Sequence, residues 1–290
     1  MAKSFREWKE AKSQEAPDQR LHEIQNMIAQ TCEDMALMPD KKRKERVCGT
    51  LRLYRHHDLA TKIEHCAVGK LCGSLYCIDC RKRAATSLKK RLFSYCKKAF
   101  DDDEKLALNR LRHATILCQL VPLHTKSVKA AVTKTRKNLT ALKRRFPDIW
   151  MKGAFEFEVV DLHRATSRKA KTLSEMKTVD DQYQILVHFH ALMDVRSDDA
   201  KTITNWMKQK WPQSHAVLLK GTIAGQSLPD KCEKIASYSF KDRVKFNNSF
   251  KTDGYLEGNF FTYKLLSDLI VIYDSIGSKG YSSLLIDIGK

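Results

Sequence analysis

The chain has no run of 18 continuous apolar residues, which excludes an ordinary transmembrane helix, and Met1 to Arg6 lead into charged residues instead of an apolar signal core. A cytoplasmic protein with no membrane partner is expected. No segment repeats at a fixed period and no long low-complexity linker is visible, so solenoid and array architectures fall away. A Gly-x-x-x-x-Gly-Lys-Ser/Thr loop is missing too, which argues against an intrinsic ATP-driven helicase. Acidic residues are in deficit, with 34 Asp and Glu against 53 Lys and Arg and a formal net charge of +19. Such a surface attracts phosphate backbones with strong salt dependence. Charge alone would also suit a ribosomal partner or an anionic membrane surface, so the motifs must decide.

The nine cysteines are an odd number and unevenly clustered, which suits thiols and a metal better than a secreted disulfide framework. Cys66, Cys72, Cys77 and Cys80 offer four thiolates, and the terminal Cys77-Ile78-Asp79-Cys80 has a turn spacing used for zinc. His65 is the leading substitute ligand, with Cys48, His56 and His57 behind it. A structural Zn²⁺ here would stabilise a short, loop-rich subdomain. Its expected role is to present Arg81, Lys82 and Arg83, followed by Lys89, Lys90 and Arg91, to nucleic acid. Cys32, Cys96, Cys118 and Cys232 read as isolated buried thiols.

At 290 residues the chain can bury a substantial core and supply more than one unit. The expected division is a basic N-terminal region with the cysteine subdomain over 1–105, a catalytic domain over 106–250 and a packing extension over 251–290. The acidic run Asp101-Asp102-Asp103-Glu104 marks the first break. A basic helix is predicted from Arg81 to about Ala99. Strands are predicted over Ala114–Val121, Gly153–Asp161, Tyr183–Val195 and His215–Leu219, and helices over Ser127–Phe146, Thr202–Lys210 and Asp230–Phe246. That order suits an α+β class in which helices cover one face of an antiparallel sheet and leave the other for substrate and metal. The apolar segments at 260–266 and 269–273 read as packing elements.

A strand alternates its faces, so His188 and His190 point the same way with Phe189 between them pointing the other. Two neutral imidazoles on one face can ligate one divalent ion, and a carboxylate from a neighbouring strand is the expected third ligand. Phe155-Glu156-Phe157-Glu158 places two carboxylates on one strand face. Glu158 is favoured as the ligand, with Glu156 its rival. The ion would be Mg²⁺ or Mn²⁺, polarising a scissile phosphate, with zinc an alternative because imidazole suits it. Downstream, Tyr238 and Lys241 stand three residues apart on a predicted helix and share a face. A phenol with an ordinary pKa near 10 needs such help to act as a nucleophile, and Lys241 can hold phosphate charge or ease formation of the phenolate. Lys234, Arg243 and Lys245 could place a DNA backbone. Tyr255 and Tyr263 are the alternative tyrosines, in less basic surroundings.

The ordered set, Ala114-Thr115-Ile116-Leu117, Gly153 to Val159, Val187 to Leu192 and Ile235 to Lys241, resembles the plasmid rolling-circle replication initiators and their relatives, the HUH endonucleases. The resemblance spans roughly residues 66 to 246 and includes the cysteine segment that runs into Arg81-Lys82-Arg83. It implies an RRM-like catalytic fold that nicks an origin in single-stranded or hairpin DNA, leaving a 5′-phosphotyrosine and a free 3′-OH. It further implies His188, His190 and Glu158 as metal ligands, Tyr238 as the nucleophile, Lys241 as its helper, and a host helicase and DNA polymerase as partners. With Phe240 in place of a second tyrosine in the helix, a one-tyrosine mechanism is favoured, and closure of the replicated strand would need a second subunit in a homodimer, a water assisted by a carboxylate, or a tyrosine from elsewhere. A mobilisation relaxase or a transposase would use the same chemistry, and a non-enzymatic zinc-containing nucleic-acid-binding protein is the alternative of another class.

Overall fold

The computed structural model describes residues 78–163, 167–221, 226–240, 263–276 and 283–289. Three twelve-residue strands carry the architecture: β1 (Leu111–Pro122), β2 (Trp150–Asp161) and β3 (Tyr183–Asp194). Two short strands, β4 (Val217–Lys220) and β5 (Leu285–Ile288), close the edges. The order is β4-β1-β3-β2-β5 and every pairing is antiparallel. Seven helices accompany the sheet among the described residues: α1 (Ile78–Ala99), α2 (Glu104–Arg110), α3 (Thr125–Arg145), α4 (Ser167–Met176), α5 (Ala200–Lys210), α6 (Leu228–Ser239) and α7 (Tyr263–Ile276). This is the α+β class predicted above. None of these helices is long and apolar enough to cross a membrane.

Alternation sorts the strands into two chemically different faces. On one, Phe155, Phe157 and Phe189 are fully buried, and Phe155 lies directly across from Phe189 with ring centroids 5.4 Å apart. Burying each ring is worth about 1.5–3 kcal/mol. α3 covers this face with Val128, Ala131, Val132, Leu139 and Leu142, a stripe at helical spacing, while its lysines and arginines turn outward. Ile203 and Met207 of α5 and Leu265, Leu269 and Ile272 of α7 join the same core. In the segments expected to pack, Leu265, Leu269, Ile272 and Tyr273 are buried in this core, residues 260–262 lie outside the described residues, and the Tyr273 hydroxyl donates to the Phe157 carbonyl at 3.0 Å.

The second face is not left bare. At one end of the strands it presents Leu111, Trp150 and Leu192, and these are covered by Leu88, Leu92 and Cys96 of α1 and by Cys232, Ile235 and Ala236 of α6. Tyr95 stacks on Trp150 with centroids 3.7 Å apart and planes within 3°. An apolar end of a sheet must be shielded, and this one draws α1 and α6 onto the face that the one-sided picture left open. The acidic run forms the turn between α1 and α2, where Asp101 and Asp102 adopt φ of 48° and 60°. Arg110, at the end of α2, grips the buried Asp194 through two hydrogen bonds of 2.9 and 2.8 Å. Burial raises the Asp194 pKa, and Arg110 opposes that shift. Three elements escape the sequence pattern: α2 after the acidic run, α4, inserted between β2 and β3, and the four-residue edge strand β5.

Candidate metal centre and tyrosine

Beyond the apolar end, the second face of the sheet becomes polar. β2 contributes Glu156 and Glu158, β3 contributes His188 and His190, and all four are only 5–7 % exposed. The register puts Glu156 directly opposite His188 and Ala154 opposite His190. Contacts are made on the diagonal: Glu156 Oε2 is 2.8 Å from His190 Nε2, and Glu158 Oε2 is 3.1 Å from His188 Nε2. The four side chains thus interleave as Glu158, His188, Glu156, His190 along one face.

Among the described residues, Glu156, His188 and His190 form a group whose potential ligand atoms all lie within 4.8 Å of one another. This group could hold a metal ion. The His188 Nε2 atom is buried and, although close to Glu158, makes no aligned hydrogen bond. A buried nitrogen in that condition costs stability unless something uses its lone pair. An ion held between the imidazoles and a carboxylate would do so, and two nitrogens with one oxygen are an ordinary donor set for a divalent transition metal. Both carboxylates lie on the predicted face, and the geometry ranks Glu156 ahead of Glu158 because it is the one grouped with both histidines.

Two further side chains, absent from the sequence-based site, come from β1. Thr115 is directly opposite His190 in the register, with its Oγ1 3.1 Å from His190 Nδ1. His113 shares the face, and its Nε2 lies 3.4 Å from the same hydroxyl. Burial, reinforced by His190 and by Lys234, Lys220 and Lys231, pushes His113 down to about 4, so its ring is neutral at pH 7. The sequence did carry a signal: His113 and Thr115 alternate with the apolar Ala114 and Ile116. A strand predicted to begin at Ala114 concealed it.

Tyr238 arrives from above, on the last turn of α6. Ser227 begins this helix with a reciprocal capping box to Asp230, and Pro229 sits in the first turn, which fixes the start of the helix and hence the height of its end. The buried stripe Leu228, Lys231, Cys232, Ile235, Ala236 and Ser239 seats α6 against α1 and the sheet. Tyr238 borders that stripe and is half-buried. Its ring centroid is 5.5 Å from that of His190 and 5.7 Å from that of His113. Comparisons with family models, curated proteins and solved structures find no match to this chain.

The basic residues separate into groups. Lys82 and Arg83 stand exposed on α1, whereas Arg81 is buried, which takes it out of the solvent-facing set. Lys89 is paired with Glu233 of α6 at 2.5 Å. Lys234 is half-buried and close enough to influence His113. Lys241, Arg243 and Lys245 lie outside the described residues, as do Tyr255 and the cysteines Cys66, Cys72 and Cys77 with their substitutes His65, Cys48, His56 and His57. Cys80 is described, buried in the first turn of α1. Cys96 and Cys232 are fully buried and face each other between α1 and α6, where the Cys232 hydrogen bond and burial together raise the Cys96 pKa.

Proposed function

We propose that this chain is a metal-assisted, tyrosine-dependent single-strand DNA endonuclease and strand transferase of the rolling-circle initiator type, built on an RRM-like HUH core. The observation that carries the reading is the convergence of Tyr238, from a helix, on His190, within a buried Glu and His cluster contributed by two strands. Three elements far apart in sequence assemble a nucleophile beside a candidate metal site. The net charge of +19 supplies the attraction to a phosphate backbone.

A divalent ion at Glu156, His188 and His190 would polarise a phosphodiester and stabilise charge as it moves through the transition state. Two imidazoles in the donor set favour Mn²⁺ over Mg²⁺, because carboxylate and water suit Mg²⁺ better than nitrogen does. Tyr238 Oη attacks phosphorus and passes its proton to solvent, which returns one to the departing 3′ oxygen, as the new P–O bond forms. The bond to the 3′ oxygen breaks, and that oxygen takes up a proton to leave a free 3′-OH. Lys234 would hold backbone charge, and Lys241 and a structural Zn²⁺ at the N-terminal cysteines belong to the same proposal.

The test is cleavage of end-labelled single-stranded fragments covering the repeats that neighbour the gene, with Mn²⁺ or with EDTA. Site-specific nicking with Mn²⁺, giving a 3′ end that a polymerase extends, supports the reading. Binding without cleavage across the whole set favours the non-enzymatic nucleic-acid module.

A further inference from the structure

His190 is held at the nitrogen that faces away from Glu156. Thr115 Oγ1 is 3.1 Å from His190 Nδ1, and His113 Nε2 is 3.4 Å from that same oxygen. The arrangement follows from β1, because Thr115 is the cross-strand neighbour of His190 and His113, two residues earlier, shares its face. A neutral imidazole can offer Nε2 to an ion only when its proton sits on Nδ1. A hydroxyl accepts and donates at once, so Thr115 can receive the Nδ1 proton in a hydrogen bond and direct its own toward a second, bare nitrogen. His113 Nε2 occupies that second position.

We propose that Thr115 and His113 are positioning residues that hold His190 as its Nδ1–H tautomer and turn a bare Nε2 toward Glu156 and a divalent ion. The inference rests on the metal-holding reading of Glu156, His188 and His190. Every proton has a place: His190 Nδ1–H donates to Thr115 Oγ1, the Thr115 hydroxyl donates to His113 Nε2, and His113 keeps its own proton on Nδ1. The competing arrangement protonates His190 at Nε2 and donates that proton to Glu156 across the 2.8 Å contact, which blocks coordination. A Thr115 hydroxyl whose proton is committed to His113 disfavours that alternative, because it can then meet Nδ1 only as an acceptor. Outer partners of ligating histidines act in this way generally, and losing one weakens metal affinity by about 10- to 100-fold.

The experiment is Mn²⁺ titration of the full chain followed by electron paramagnetic resonance. Mn²⁺ is a poor match for thiolates, so the cysteines do not compete for it. Thr115→Val keeps the shape and removes the hydroxyl, and its affinity is expected to fall at least about tenfold. Thr115→Ser restores the hydroxyl and the affinity, which a packing role for the threonine methyl would not do. His113→Ala should give a smaller loss, since it removes the farther link. Binding by Thr115→Val within twofold of wild type, or failure of Thr115→Ser to recover what Thr115→Val loses, overturns the relay while leaving the metal site standing. An unchanged affinity in His113→Ala overturns the part assigned to His113. A wild type that binds no Mn²⁺ overturns the metal reading and the relay with it.

Discussion

Glu156 Oε2 lies 2.8 Å from His190 Nε2 although the residue opposite Glu156 in the sheet is His188. The diagonal contact places one carboxylate between two imidazoles, where it can share an ion with both. Glu158 contacts His188 at 3.1 Å and stands outside the group that Glu156 forms with both histidines. Replacing Glu156 with Gln should therefore abolish Mn²⁺ binding in a calorimetric titration, whereas Glu158→Gln should reduce affinity by roughly the 10-fold typical of an outer partner. The reverse order of effects would make Glu158 the ligand.

Gly153 lies where β2 runs close against the β3 backbone, opposite Ala191. A Cβ built at this position would lie 1.9 Å from the His190 carbonyl oxygen and 2.6 Å from Ala191 Cα, both of them backbone atoms that cannot swing aside. Gly153→Ala should separate the strands at the residue that carries the site and cost about 3 kcal/mol or more, at the upper end for overpacking. Urea unfolding measures the loss. A cost below 1 kcal/mol, on the order of an ordinary Gly to Ala change, would show that the strands are not so tightly apposed.

Lys231 supplies a pH dependence that is read from stability instead of from metal binding. It is buried, its Nζ donates to the Leu111 carbonyl at 2.6 Å, and burial, helped by Arg112, pushes its pKa from 10.5 down to about 8. The folded chain gives up this proton near pH 8, whereas the unfolded chain keeps it to near 10.5, so the unfolded chain binds more protons in that window. Lys231 then adds stability as pH rises from 8 to 10.5, and the cost of its buried charge is fully present below 8. Titration of Tyr95, raised to about 12, and of Cys96 pulls the other way at alkaline pH, so the variant and wild type must be compared at each pH. The stability of Lys231→Met minus that of wild type should fall by up to about 3 kcal/mol from pH 7 to pH 10.5. A difference independent of pH would contradict the depressed pKa.

β2 and α3 were legible from their periods, alternation through Phe155-Glu156-Phe157-Glu158 and a helical stripe through Val128, Val132, Leu139 and Leu142, and β1 from its apolar, β-favouring run. Short elements were not. Among its described side chains α4 shows Leu173 and Met176 as buried apolar groups, too few to display a period, and β5 is four residues long. The histidine pair, the two carboxylates and Tyr238 were identifiable as residue types at suggestive spacing. What sequence could not supply is cross-strand register. It takes the pairing of β1, β3 and β2 to put Thr115 against His190 and Glu156 against His188, and so to bring His113 and Thr115 into the site. Covering of the second face by α1 and α6 likewise depends on Leu111, Trp150 and Leu192 meeting at one end, three residues from three strands.

The most direct test of the central claim is to incubate the full chain and its Tyr238→Phe variant with labelled single-stranded DNA and Mn²⁺, denature, digest with protease and locate any nucleotide-bearing peptide by mass spectrometry. The account predicts a denaturant-resistant adduct on the peptide that contains Tyr238, absent with EDTA and absent from Tyr238→Phe, while DNA binding before denaturation is retained by both proteins. An adduct on another tyrosine, or nicking by Tyr238→Phe at the wild-type rate, would contradict it.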